Sequence, residues 1–127
     1  VKVNSSSATR VLPFHTACVE GHLEIVKYML INGRILTDFT QLKNNSFIEG
    51  CMKRIDIGKW ILASGRKIPK EIIELTKNSL EKLRDNNWEF VRFVRLLEEF
   101  LLDPIQTRKE LRKGLGLPGL IFLFLLS

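Results

Sequence analysis

The chain has 127 residues, 45% of them hydrophobic and 27% charged, with eight Phe and two Trp. That length fits one domain and that composition supplies a core, which excludes a disordered chain. The net charge of +6 is uneven: residues 1–52 carry five basic and four acidic groups, and residues 53–127 carry fifteen and ten.

The chain opens on Val1, and Asn4-Ser5-Ser6-Ser7 reads as a frayed or truncated start, so 1–10 is set apart from the fold. No signal peptide is visible. Pro13 suits the first turn of a helix, where its missing N–H costs nothing. Ala17 and Cys18 are small enough for close helix approach, and Gly21 lets the chain turn. Leu23, Val26 and Leu30 then follow helical spacing on one apolar face, with Gly33 closing that second helix. Cys18 and Cys51 form no CxxC pair, and two His cannot complete a zinc-ligand set. Both cysteines read as buried thiols of a reducing compartment, so an intracellular, cytoplasmic protein is expected.

The segment repeats. A shift of 33 carries Phe14 onto Phe47 and Cys18 onto Cys51. With one residue deleted near Gly21, Leu23-Glu24-Ile25 falls on Ile55-Asp56-Ile57, Lys27-Tyr28 on Lys59-Trp60, Leu30 on Leu62 and Gly33 on Gly65. A total shift of 65 carries Leu23–Tyr28 onto Trp88-Glu89-Phe90-Val91-Arg92-Phe93. The middle copy breaks the pattern once, at Gly58. Repetition at this period points to stacked supersecondary units that share one core.

The run Leu12-Pro13-Phe14-His15, Ala17-Cys18, Gly21-His22-Leu23-Glu24-Ile25-Val26-Lys27, Met29-Leu30 and Gly33 resembles the ankyrin repeat. The likeness is specific over the first repeat and clear in the second helix of the next two. The Thr of the family's Thr-Pro-Leu-His turn is absent: Leu12 replaces it, and Asn45-Ser46-Phe47-Ile48 stands there in repeat two. Trp60–Arg66 and Leu96–Leu117 look like the closing part of ankyrin proteins from expanded families of fungi and unicellular eukaryotes. The resemblance covers roughly residues 10–119 and implies an all-α fold, an ankyrin-type α-solenoid of about three stacked helix pairs with a C-terminal capping helix. The array is expected over 11–102, as repeats 11–43, 44–76 and 77–102, followed by a capping helix and apolar tail over 103–127.

Between the first two repeats, Arg34–Asn45 would project as a finger, whereas Arg66–Lys70 is short. A helical pattern resumes over Glu71–Leu83. Asp103 as N-cap and Pro104 at the first position start a further helix, which runs to about Lys113 and stops at Gly114 and Gly116. Its bases, Arg108, Lys109, Arg112 and Lys113, sit late, as its dipole favours. The apolar Leu120–Leu126 is too short to span a bilayer, which needs roughly 20 residues, and should be covered by something.

No catalytic constellation emerges. His15 and Cys18 share a helix face, but nothing orients or activates them as a nucleophilic pair. Glu98 and Glu99 are adjacent and diverge on a helix, and Gly114–Gly119 reads as a chain stop instead of a phosphate loop. Trp60, Trp88, Phe90 and Phe93 fall where repeat helices pack their core.

The expected function is therefore a non-catalytic protein–protein interaction scaffold, acting as a monomer on another protein, with no cofactor, metal or small-molecule substrate. The resemblance places partner binding on the finger and on the exposed face of each first helix. By position these are Arg34, Ile35, Leu36, Phe39, Gln41 and Lys43, then Thr16, Val19 and Glu20, then Glu49, Met52, Lys53 and Arg54. The alternative is a peripheral membrane or nucleic-acid binder that uses the basic C-terminal half, including the helix Arg108–Lys113.

Overall fold

Apolar residues spaced for helices need neighbours to bury them, and a computed structural model shows which neighbours they find. It describes residues 6–32, 39–83 and 88–116, with side chains from residue 13 onward. Among these residues the fold is all-α, with seven helices and no strand. They are α1 (Ser6–Glu20), α2 (Leu23–Asn32), α3 (Ser46–Lys53), α4 (Ile55–Ala63), α5 (Lys70–Leu83), α6 (Trp88–Leu102) and α7 (Pro104–Leu115). Gly33, expected to close the second helix, and the tail Leu120–Leu126 lie outside the described residues. No described helix is long and apolar enough to cross a membrane.

The helices pack in pairs: α1 on α2, α3 on α4, and α5 on α6. First members neighbour one another in the order α1, α3, α5, and second members in the order α2, α4, α6, while α7 lies against α4 and α6. Close approach is set by small residues. A Cβ built on Gly50 would lie 2.6 Å from Ile57 Cγ2 and 3.4 Å from Cys18 Cβ, so Gly50 is where α1, α3 and α4 meet. A side chain on Gly58 would collide with Cys51 Sγ and come within 2.8 Å of Phe93 Cζ. The break in the repeat at Gly58 is thus the contact point of α4 with α3 and α6.

Several ends are built as the sequence predicts. Gly21 and Gly65 take positive φ after α1 and α4. Asp103 accepts from the Gln106 N–H, Pro104 opens α7, and Gly116 ends it in the left-handed conformation. Pro13 differs from expectation. It lies inside α1, which begins at Ser6, so residues 6–10 are helical and Pro13 withholds one N–H from the helix interior.

The third copy also differs. The shift of 65 aligns Trp88, Val91 and Arg95 with the apolar face Leu23, Val26 and Leu30, yet all three are exposed. Phe93, Leu97 and Phe100 are buried instead, with Phe90 packed against them. Two positions on an α-helix are about 200° of rotation, so the face that packs is nearly opposite the one the alignment selects. Trp60 and Phe93 belong to the core as expected, but Trp88 is 62% exposed. It opens α6, with the Arg92 guanidinium 5.3 Å from its ring centroid.

Two of the four bases of α7 serve a helix other than their own. Arg108 Nε donates to the Leu62 carbonyl at 2.9 Å and Arg112 Nε to the Ala63 carbonyl at 2.8 Å. Both carbonyls lie in the last turn of α4, where intrahelical donors run out and a positive charge complements the dipole. Burial lowers the pKa of both guanidiniums, and for Arg108 the charge of Arg112 adds to it.

Two substitutions test this packing. On an exposed helix, Gly→Ala gains about 1 kcal/mol. Gly58→Ala should instead destabilise by about 1–3 kcal/mol through overpacking, read as a lower urea midpoint. A higher midpoint would mean that the contact with Phe93 is slack. Arg112→Met, which leaves the Ala63 carbonyl without its donor, should cost about 1–3 kcal/mol. Lys109→Met, on the exposed side of α7, should stay within about 0.5 kcal/mol.

Candidate interaction surface

Burial of one face of a helix leaves the other to solvent, and the sequence fixes which residues those are. In α1, Phe14, Ala17 and Cys18 turn inward, leaving Thr16, Val19 and Glu20 exposed. In α3, Phe47, Gly50 and Cys51 turn inward, leaving Glu49 and Lys53 exposed and Met52 half-buried. Arg54, exposed, follows directly. Each set has the spacing of one helix face, and α1 and α3 are direct neighbours. The stem of Lys53 ties the patches together: its Cγ would lie 3.1 Å from a Cβ on Gly21, in the turn after α1.

The chemistry of this surface is mixed. Val19, 39% exposed, is an apolar point among Glu20, Glu49, Lys53 and Arg54. His22 Nε2 meets Glu20 Oε1 at 3.0 Å, and Arg54 Nε lies 3.8 Å from Asp56 Oδ2. Ion pairs this exposed contribute little to stability and remain open to exchange for a partner's charges.

The connection before α3 is anchored. Asn45 is buried and makes four hydrogen bonds: its Nδ2 donates to the Phe39 and Gln41 carbonyls, and its Oδ1 accepts from the Phe47 and Ile48 N–H groups. It therefore caps α3 and folds the preceding chain at once. His15 Nδ1 and Ser46 Oγ are 2.8 Å apart, a hydrogen bond between α1 and α3.

Phe39 corrects an expectation. Assigned to the partner surface, it is buried, with its ring edge-on to Phe14 at 6.2 Å. A large aromatic beside an unfilled apolar site gains more by seating there than by standing in water. Gln41 and Lys43 are exposed as expected. Arg34, Ile35 and Leu36 lie outside the described residues. Sequence reasoning missed Leu42, 66% exposed in the same connection. Its only signal was an apolar residue among polar ones.

His15, once weighed as a base for Cys18, is bonded to Ser46. Burial pushes the Cys18 thiol from 9.0 up to about 12, and it raises Cys51 too, with the charge of Cys18 a lesser cause. Both thiols are free and buried. Among the described residues no group of three His, Cys, Asp or Glu is placed to hold a metal ion.

No protein-family model, no curated protein and no solved structure matches this chain.

The buried thiol gives a pH dependence of known sign. In the unfolded chain the Cys18 thiol ionises near 9.0, while the native state keeps its proton until about 12. The unfolded state therefore binds fewer protons between those values, so stability is whole below about pH 9 and falls as pH rises toward 12. Urea midpoints measured across that window should fall less steeply for Cys18→Ala than for the unaltered chain. Parallel slopes would place Cys18 in contact with water.

Proposed function

We propose that this chain is a non-catalytic protein–protein interaction scaffold of the ankyrin-repeat type, its three helix pairs stacked and closed by α7. The observation that carries the proposal is the adjacency of α1 with α3 and of α2 with α4, in the order the 33-residue repeat requires. The exposed face of the first pair of neighbours then offers Thr16, Val19, Glu20, Glu49, Met52, Lys53 and Arg54 to a protein partner. Gln41, Lys43 and Leu42 extend that face, while Phe39 holds their connection to the core.

A surface on packed helices is pre-ordered, so little conformational entropy is lost when a partner docks. The mixture of one apolar point with charges of both signs favours a partner of complementary pattern over a uniformly charged polymer. The basic C-terminal helix favours a nucleic acid or membrane less than its composition suggests. Arg108 and Arg112, two of its four bases, are committed to carbonyls of α4.

The test is a paired capture. The chain and its double variant Val19→Asp with Lys53→Glu are used as baits in extract from the native source. Both substituted positions are exposed, so thermal midpoints should agree within about 4 °C. Partners held by the unaltered chain should be lost from the variant. Retention of the same partners at equal yield would remove α1 and α3 from the binding surface.

A further inference from the structure

A second surface feature has a chemistry of its own. A cleft of about 450 Å³ lies between the α4–α5 connection, the end of α6 and the start of α7. That volume is within the range of small-ligand sites. Its walls carry Arg66, Lys67, Lys70 and Arg108, with Phe100 and Leu101 among its apolar residues, and among the described residues no carboxylate lines it.

Several bases elsewhere lie beside an acid, whereas the four cations of the cleft converge without one among the described residues. Lys27 sits 3.2 Å from Glu24, Lys77 3.6 Å from Glu98 and Arg54 3.8 Å from Asp56. A cavity of equal volume beside α6, lined by Lys59, Arg92 and Arg95, also carries Glu89 and Glu99. In the cleft the repulsion between cations is left for something else to relieve. Arg66 adds an independent sign: its Nε is buried and has no hydrogen-bond partner among the described residues. A buried donor left unmade is costly, and an acceptor supplied by a ligand would recover it. Arg108 is already positioned, its Nε on the Leu62 carbonyl and its guanidinium 5.2 Å from the Phe100 ring centroid.

We propose that this cleft binds an organic phosphate, with the phosphate group held by Arg66, Lys67 and Lys70 and its apolar portion against Phe100 and Leu101. A phosphomonoester brings a charge of about −1.5 to −2 and three strong acceptor oxygens, which suits several cations better than the single charge of a carboxylate. Arg108 contributes charge from a fixed position. The same chemistry is carried by a free phosphomonoester and by a phosphatidic acid headgroup. The proposal does not depend on the scaffold reading, since the cleft shares no residue with the α1 and α3 surface.

The full chain is titrated calorimetrically with phenyl phosphate and with inorganic phosphate. It is also floated with phosphatidylcholine vesicles made with and without phosphatidic acid. Phenyl phosphate should bind at one saturable site, more tightly than inorganic phosphate because it also covers the apolar wall. Lys67→Gln with Lys70→Gln, both at exposed positions, should weaken it by about tenfold or more through lost charge-assisted bonds. Lys43→Gln with Lys109→Gln, which removes the same net charge elsewhere, should change it by less than about twofold. Arg66→Gln should also weaken binding. If that variant does not fold, the lysine pair decides alone. Vesicle flotation that needs phosphatidic acid and is lost in the Lys67/Lys70 variant assigns the headgroup as source. Phenyl phosphate binding without flotation assigns a free monoester. The proposal is overturned if neither form binds, if the control pair weakens binding as much as the cleft pair, or if flotation survives the cleft substitutions.

Discussion

A helix enclosed on all sides must find a hydrogen-bond partner for every backbone group without help from water, and α4 is in that position. Seven of its nine residues are buried, and it touches α2, α3, α6 and α7. The last carbonyls of such a helix have no donors of their own. Here Ser64 Oγ donates to Ile61 at 2.6 Å, the Gly65 N–H reaches Leu62 at 3.3 Å, and Arg108 and Arg112 supply the rest. Enclosure of α4 and attachment of α7 are therefore one condition. Charge follows the same geometry, because two guanidiniums sit where the α4 dipole is negative.

How far this was legible from sequence depended on what each residue's partner was. Local devices were readable, because their partners lie within a few positions: the Asp103-Pro104 start of α7, the positive φ at Gly21 and Gly65, and the face Val26 and Leu30. Gly58 was readable as an exception but not as a contact, since the side chains that exclude a Cβ there come from α3 and α6. The face of α6 was misread because acid, base and aromatic positions repeat there two residues out of step with the buried positions. Resemblance of side-chain types fixed the alignment, whereas burial obeys the neighbours. Phe39 was misplaced for a related reason, as its vacancy beside Phe14 exists only after α1 has folded.

The site residues divide along the same line. The exposure of Thr16, Val19, Glu20, Glu49 and Lys53, which the resemblance assigned to a partner surface, follows from the residues that turn inward beside them. The cationic cleft could not be assembled that way. Arg66-Lys67 and Lys70 read as an ordinary short connection, and Arg108 as one base of a terminal helix. Their convergence in a cleft whose described lining holds no carboxylate comes from the docking of α7 on α4 and α6.

That docking also changes how the chain should hold together. In a simple stack each unit touches only its neighbours, so stability propagates along the array and its ends fray independently. Here the bonds from Arg108 to Leu62 and from Arg112 to Ala63 span 46 and 49 residues, carrying the last helix back past the third pair to the second. Loosening α7 would leave α4 with unsatisfied carbonyls in a place water does not reach, and loosening α4 would strand two half-buried guanidiniums. Each penalty falls on the other element, so the two are coupled. The second and third pairs with α7 should consequently open as one cooperative unit, while α2, whose outer positions Ile25, Tyr28 and Ile31 face solvent, is held by a single packed side. The described helices are thus tied together at one end, and their rigidity there comes from hydrogen bonds that the repeat pattern does not encode.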